Sequence, residues 1–367
     1  MNEKIGIYIH VPFCIRKCPY CDFYSLPFND ETAAAYTAAV LRNIENYSEK
    51  FTADTLYFGG GTPSLLGDRL AEIITAAKAS FNLKNAEITL EVNPKTTNKK
   101  LLKKWLESGV NRISFGVQSL NENELKTLGR IHSAKEALDE IKTAKEVGFD
   151  DISADLMIGI PYQTQDSINR SIDLLNDAGA THISAYLLKI EEGTAFYNNN
   201  IAAICPDEDT CADMYLQTVQ KLSDCGFEQY EISNFAKDNN FSKHNLKYWQ
   251  DKNYLGIGPS AHSYIGNTRF AVENNLKDFI SSPVQKTYVT DNNAGSYEEY
   301  AMLALRLSEG IKKSDFAKKY SEAEYEVLRK NAEKIGKQYI NINENGFNLT
   351  PSGFLVSNDL IAKIIFG

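Results

Sequence analysis

Long apolar runs are missing from this 367-residue chain. None approaches the roughly 18 residues a membrane-spanning helix needs, which excludes such a helix. The opening "MNEKIGIYIHVPFC" has a short apolar stretch ending at His10 and no small-residue cleavage site, so no secretory signal is expected and the expected location is the cytoplasm. Basic charge is also in short supply. Lys and Arg number 39 against 48 Asp and Glu, and the net charge of −9 argues against a broad nucleic-acid-binding face. Cysteine is scarce, six in all, yet Cys14, Cys18 and Cys21 crowd into one short stretch with no fourth beside them. Cytoplasmic thiols stay reduced, so the crowding points to metal or redox chemistry before disulfides.

What the chain does have is a repeated phrase. "SGVNRISFGVQ", "VGFDDISADLM", "AGATHISAYLL" and "CGFEQYEIS" each follow a helix-like stretch and each carry a glycine (Gly109, Gly148, Gly179, Gly226) ahead of a β-type run. A glycine there suits the left-handed residue that ends a helix. Upstream, "KIGIYIHV", "TLYFGGG" and "EITLEVNP" read as strands, followed by helices over 30–49, 67–80 and 98–107. Strands alternating with helices imply βαβ crossovers and a parallel sheet. Six units fit before residue 225, with a seventh strand placed near "EQYEIS". The fold class is therefore α/β, a partial or complete parallel (β/α) barrel, with a doubly wound open sheet as the alternative.

Three segments follow from this: a barrel domain over 1–235, a connecting segment rich in Asn, Gly and aromatics over 236–290, and a smaller, mainly helical unit over 291–367. The last ends with a hairpin turn at Glu344-Asn345-Gly346 and reads as winged-helix-like. Winged helices often bind nucleic acid, but the charge balance here does not support that use.

The spacing of the three thiols is C-x3-C-x2-C. Positions i, i+4 and i+7 would form a stripe on a helix, but Pro12 and Pro19 oppose an ordinary helix there. Zinc would need a fourth ligand, for which His10 is the nearby candidate. Three thiolates on a cubane [4Fe–4S] cluster leave one iron without a protein ligand, and an open coordination position is what chemistry needs. Further features fall at or near the ends of successive strands, the rim on which parallel barrels place their sites. They are Gly59 to Thr62, Glu91 in "LEVNP", Gln118 in "SFGVQSL" and Asp155 in "ADLMIGIP".

C-x3-C-x2-C directly after a first strand resembles the radical S-adenosylmethionine (SAM) superfamily. Together, "YIHVPFCIRKCPYCDF", "GGGTPS", "EVNP", "SFGVQS" and "DLMIGIP" resemble its oxygen-independent coproporphyrinogen dehydrogenase group through most of the chain. The resemblance implies a [4Fe–4S] cluster on Cys14, Cys18 and Cys21, with SAM chelating the open iron and being split by electron transfer. It implies SAM contacts from Tyr8, Tyr20, Gly60, Gly61, Thr62, Glu91, Gln118, Arg130 and Asp155. Tyr20 would face adenine, and Glu91 and Arg130 would pair with the amino and carboxylate groups of the methionine moiety. Gln118 and Asp155 would meet ribose hydroxyls or the amine.

Within the group, the dehydrogenases have a longer N-terminal arm and a further cysteine two residues after the third. Here thirteen residues precede Cys14, and Phe23 holds the further position. The motif H-N-x-x-Y-W at His244, Asn245, Tyr248 and Trp249 instead resembles the signature of HemW-type haem chaperones, implying that His244 meets haem. The expectation is a carrier that binds haem as cargo and delivers it to an acceptor protein, acceptors at membranes included. The alternative is the decarboxylating dehydrogenase. A radical SAM methyltransferase would want a second cysteine pair, and Cys205, Cys211 and Cys225 are too scattered to provide it.

Overall fold

The computed structural model describes residues 4–367. Six parallel strands alternate with five helices: β1 (Ile5–Val11), α1 (Asp30–Asn46), β2 (Ala53–Gly60), α2 (Arg69–Ser80), β3 (Glu87–Val92), α3 (Lys99–Ser108), β4 (Arg112–Gln118), α4 (Ala134–Val147), β5 (Asp151–Ile158), α5 (Gln165–Ala178) and β6 (His182–Leu187). Helix ends follow local chemistry. Asn29, Asn98, Ser133 and Thr164 cap helix starts with side-chain oxygens, and Gly109, Gly148 and Gly179 end α3, α4 and α5 at positive φ.

The two-residue period of the strands separates two interiors. Ile7, Ile9, Leu56, Phe58, Ile88, Leu90, Ile113, Phe115, Ile152 and Ile183 join the apolar core shared with the helical layer. The alternate residues point into the barrel lumen and bond one another: Tyr57 to Glu91, Arg112 to Asp151, Ser114 to Asp155, Ser153 to His182 and Tyr186 to Gln118. The hydrophobic core therefore lies between sheet and helices, and the lumen is polar and largely paired, with the buried Thr89 hydroxyl left without a partner.

The seventh parallel strand is not where the sequence suggested. After α6 (Glu208–Asp224), residues Glu228–Gln229 and β7 (Asn234–Ala236) form short strands antiparallel to their neighbours beyond β6. The chain then crosses below the barrel as α7 (Lys243–Trp249), and β8 (Tyr254–Ile257) pairs in parallel with β1 on the other side. Strands β9 (His262–Ile265), β10 (Thr268–Val272) and β11 (Thr287–Asp291) extend that edge, so the segment over 236–290 contributes strands to the sheet. The sheet's two ends do not pair, which makes the barrel partial.

From Tyr297 the chain forms helices Tyr297–Ala304, Lys313–Lys319, Glu322–Ala332 and Ser357–Phe366 around a three-stranded sheet of Ile311–Lys312, Gly346–Leu349 and Ile340–Asn343. The hairpin turn lies at Glu344 and Asn345, where Asn343 Oδ1 accepts from the amides of Asn345 and Gly346.

Helix α7 plugs the N-terminal end of the barrel. The Glu87 carboxylate, at the start of β3, accepts from the amides of Lys243 and His244 at 2.9 Å, placing negative charge at the helix N-terminus. The His244 ring is buried, with Nδ1 2.8 Å from Thr55 Oγ1 and Nε2 2.8 Å from Tyr248 Oη, and it stacks on Tyr57 at 5.1 Å. Burial, then the Lys247 charge, pull its pKa down to about 3.

His244→Ala is expected to destabilise the protein by about 2–4 kcal/mol in denaturant unfolding, through two lost hydrogen bonds and a cavity. The folded-state pKa lies below the unfolded value of about 6.5, so burying neutral His244 contributes fully above that pH and loses ground as pH falls toward 3. The destabilisation should shrink over the same window; a cost that is absent or independent of pH contradicts this assignment.

Candidate functional site

The three clustered cysteines sit on a loop that leaves β1 at the C-terminal end of the barrel. Residues Phe13–Cys14 and Leu26–Pro27 pair as two short parallel strands, and Leu26 N to Pro12 O (2.8 Å) and Phe28 N to Cys14 O (3.0 Å) close the loop. Phe13 anchors it from below, edge-on to Tyr36 and Phe28. No helix spans Cys14 to Cys21, so the thiols are not a helical stripe. All three are free and half-buried, and they line one cavity. Burial raises the Cys21 thiol, and the neighbouring Cys18 and Cys14 sulfurs add to the rise.

The same cavity is lined by Tyr20, Gly60, Gly61, Thr62, Glu91, Gln118, Arg130 and Asp155. The strands deliver them as the alternation dictates. The glycines, however, are required by the protein itself. A Cβ on Gly60 would lie 2.6 Å from the His10 ring, and one on Gly61 would lie 2.6 Å from the Phe13 carbonyl oxygen. Gly60 also has φ of 108°. The cysteine loop can therefore rest directly on the end of β2.

Two polar side chains reach the sulfurs. Thr62 Oγ1 donates to Cys14 Sγ at 3.6 Å, and Arg130 Nη1 lies 3.4 Å from Cys18 Sγ. Asn93 links them: its Oδ1 accepts from Arg130 Nη2 at 2.6 Å, and its Nδ2 donates to Thr62 Oγ1 at 2.7 Å. Arg130 also donates to the Gly116 carbonyl at 2.6 Å, while its buried Nε has no partner.

Deeper in, the Tyr57 hydroxyl donates to Glu91 Oε1 at 2.8 Å. Burial raises Glu91 to about 7, with Asp155 adding to the rise and the Tyr57 and Gly60 hydrogen bonds opposing it. Burial likewise raises Asp155 to about 6, against the pull of the Ser184 hydrogen bond and the Arg130 and Arg112 charges. Gln118 has φ of 70° at a register shift between β4 and β5, and the bulge turns it toward the cavity, where its Oε1 accepts from Tyr186 at 2.9 Å.

Two residues named from sequence lie elsewhere. Tyr8 stands behind the cavity wall, its hydroxyl 3.1 Å from His10 Nδ1. His244 is in the plug at the opposite end of the lumen, and both its nitrogens are engaged. His10 is committed too: Nε2 donates to the Tyr24 carbonyl at 3.0 Å, which leaves Nδ1 to accept from Tyr8. Asn93, Ser114, Gly116 and Tyr186 also line the cavity but were not singled out from sequence. Asn93 lies in "EVNP", and Ser114 and Gly116 lie in "SFGVQS"; Tyr186 had no signal beyond strand alternation.

The donor set suits a cluster. Three free thiols share a wall, two hydrogen-bond donors reach their sulfurs, and no fourth thiol stands beside them. Among the described residues no three His, Cys, Asp or Glu side chains close around a single ion. Two thiolates on one zinc lie about 4 Å apart, whereas a cubane spreads its ligands wider. The deeper wall offers two carboxylates, an arginine and amide groups, which suit a zwitterionic, hydroxyl-bearing ligand.

Comparison with known proteins accords with this geometry. A sequence model of the radical SAM superfamily matches residues 8–175, and one of the HemN C-terminal domain matches 295–356. A Bacillus subtilis protein named heme chaperone HemW is 35% identical, over 98% of this chain and 98% of that protein. A zebrafish mitochondrial protein named radical S-adenosyl methionine domain-containing protein 1 is 31% identical, over 99% of this chain and 87% of its own length. Among solved structures, Escherichia coli coproporphyrinogen III oxidase HemN superposes with a TM-score of 0.83 over 99% of this chain and 90% of its own, at 18% identity, which bears on the fold alone. With its thiols, rim and sheet arranged in this way, and with a full-length relative at that identity, the chain belongs to the HemW family of the radical SAM superfamily.

Proposed function

We propose that this protein is a cytoplasmic haem carrier built on the radical SAM fold, delivering haem to an acceptor protein. Cys14, Cys18 and Cys21 would hold a [4Fe–4S] cluster, and the cavity beside them would hold SAM. The observation that carries the cofactor reading is the single wall shared by three free thiols, Glu91, Arg130 and Asp155. The haem reading is supported by the name of the full-length Bacillus subtilis relative. Phe23, which lines the cavity in place of a further cysteine, disfavours the dehydrogenase.

When bound, the cluster supplies an iron with an open coordination position and an electron for SAM cleavage. The chain's own residues do the rest. Arg130 steadies the Cys18 sulfur and offers charge to a carboxylate. Glu91 accepts an ammonium, Gln118 and Asp155 meet hydroxyls or that same ammonium, and Tyr20 covers an aromatic base. Tyr57 holds the Glu91 carboxylate in one orientation.

Anaerobic reconstitution with iron and sulfide is expected to give the broad visible absorption of a cluster. It should vanish in a Cys14→Ala/Cys18→Ala/Cys21→Ala variant that remains folded; failure of the parent chain to incorporate both elements sinks the cofactor reading.

Free Glu91 is protonated below about pH 7, so SAM must displace that proton to bind as an ammonium–carboxylate pair. SAM affinity should fall by up to about tenfold per unit as pH drops from 7 toward 6, and Glu91→Gln should bind weakly with little of this dependence until Asp155 protonates near 6. Equilibrium dialysis across pH 5.5–8.5 checks this; equal slopes for the two proteins would remove Glu91 from the ammonium site.

The carrier should bind haemin and leave coproporphyrinogen III unconverted under reducing, SAM-replete conditions. Conversion to protoporphyrinogen IX without haem binding would transfer the chain to the dehydrogenase reading.

A further inference from the structure

Helix α7 faces two ways. His244 and Tyr248, four residues apart, turn into the lumen and bond each other. Trp249, the next residue, is half-buried and lines a separate groove of about 480 Å³ between the barrel and the C-terminal unit. That volume is in the usual range for a small-molecule site. The facing wall carries Tyr300, Ala304 and Leu307, and Lys312, Lys318 and Lys319 stand around it.

Lys252 and the acids Asp251, Glu309 and Asp315 also line the groove, and the three lysines of the facing wall sort into two kinds. Lys319 is structural: it pairs at 2.5 Å with Asp251, whose side chain is fully buried, and it lies 5.3 Å above the Tyr300 ring. Lys312 and Lys318 are exposed and paired only with the exposed acids Glu309 and Asp315. Such surface pairs contribute little, so these two lysines can turn to other carboxylates. No His, Cys or Met lines the groove.

We infer that this groove is a tetrapyrrole site, in which Trp249 and Tyr300 cover the macrocycle, Lys312 and Lys318 pair with its two propionates, and the iron receives no histidine, cysteine or methionine ligand. The inference rests on the haem-carrier reading and locates its cargo. A flat, amphipathic dicarboxylate matches an aromatic wall with exposed cations beside it. Recognition that ignores the metal leaves the iron available to an acceptor's ligands, which suits a molecule that must give its cargo away. His244, on the lumen side of the same helix, is bonded to Thr55 and Tyr248 and takes no part in the groove.

The full chain is titrated with haemin and with iron-free protoporphyrin IX, following tryptophan quenching and porphyrin fluorescence. Iron-free porphyrin should bind within about threefold of haemin. Lys312→Glu/Lys318→Glu should weaken both by about tenfold or more, while Lys103→Glu/Lys135→Glu, the same charge change on exposed lysines elsewhere, should leave both unchanged. Circular dichroism confirms that the variants are folded. If haemin binds but iron-free porphyrin does not, or if the groove variant binds like the parent, the groove assignment falls and the carrier reading stands. If neither porphyrin binds the parent chain, the carrier reading falls with it.

Discussion

The strand period of two is the constraint on which the rest depends. In a barrel wrapped by helices, every second residue is pressed into an apolar layer and every other one is turned into a lumen with little water. Polar groups in the lumen must then find partners among themselves, because unpaired burial costs more than a hydrogen bond returns. The chain meets this with the bonds that link Tyr57 to Glu91, Arg112 to Asp151, Ser153 to His182 and Tyr186 to Gln118. The same confinement that forces pairing also raises Glu91 and Asp155, leaving two carboxyl groups near neutrality at the end where the cysteine loop lies.

The two ends of that lumen are built differently. At the upper end the chain is loop, glycine and half-buried polar side chain, open to a ligand. At the lower end α7 closes the floor, tied by Glu87 to its first amides and by His244 to Thr55. A floor sealed by side-chain hydrogen bonds holds the strand starts in register, and the strand ends above inherit that register. The H-N-x-x-Y-W stretch is thus first a piece of architecture, and only its Trp249 end reaches a groove.

Much of this was legible in the residues. The helix-ending glycines, the strands over "KIGIYIHV" and "EITLEVNP" and the hairpin near Asn345 all rest on local rules, and local rules are what a sequence writes most plainly. The thiol spacing and the strand-end motifs identified most of the cavity wall, because strand ends of a parallel barrel converge whatever lies between them. The seventh parallel strand was misplaced because "EQYEIS" and "YLGI" are both short β-type runs, and only long-range pairing separates an antiparallel edge from a parallel neighbour of β1. The helix holding His244 is hard to see in the polar, Asn-rich "SKHNLKYW"; Ser242 caps it, and its aromatic face is drawn inward. Asn93 lies within "EVNP", but its task of joining Thr62 to Arg130, 31 and 37 positions away, is a relation no window of sequence contains.

The seating of the cysteine loop on β2 has a consequence for how this region tolerates change. The space beneath the loop is already taken, by the imidazole of His10 at Gly60 and by the Phe13 carbonyl at Gly61. A methyl group added at Gly61 would push against the loop backbone itself, and one at Gly60 would displace the His10 ring from its two hydrogen bonds. Change around the thiols is thereby left to exposed side chains of the loop such as Ile15, which does not line the cavity. The outward face of the loop can therefore change without moving the sulfurs, while the seat beneath cannot.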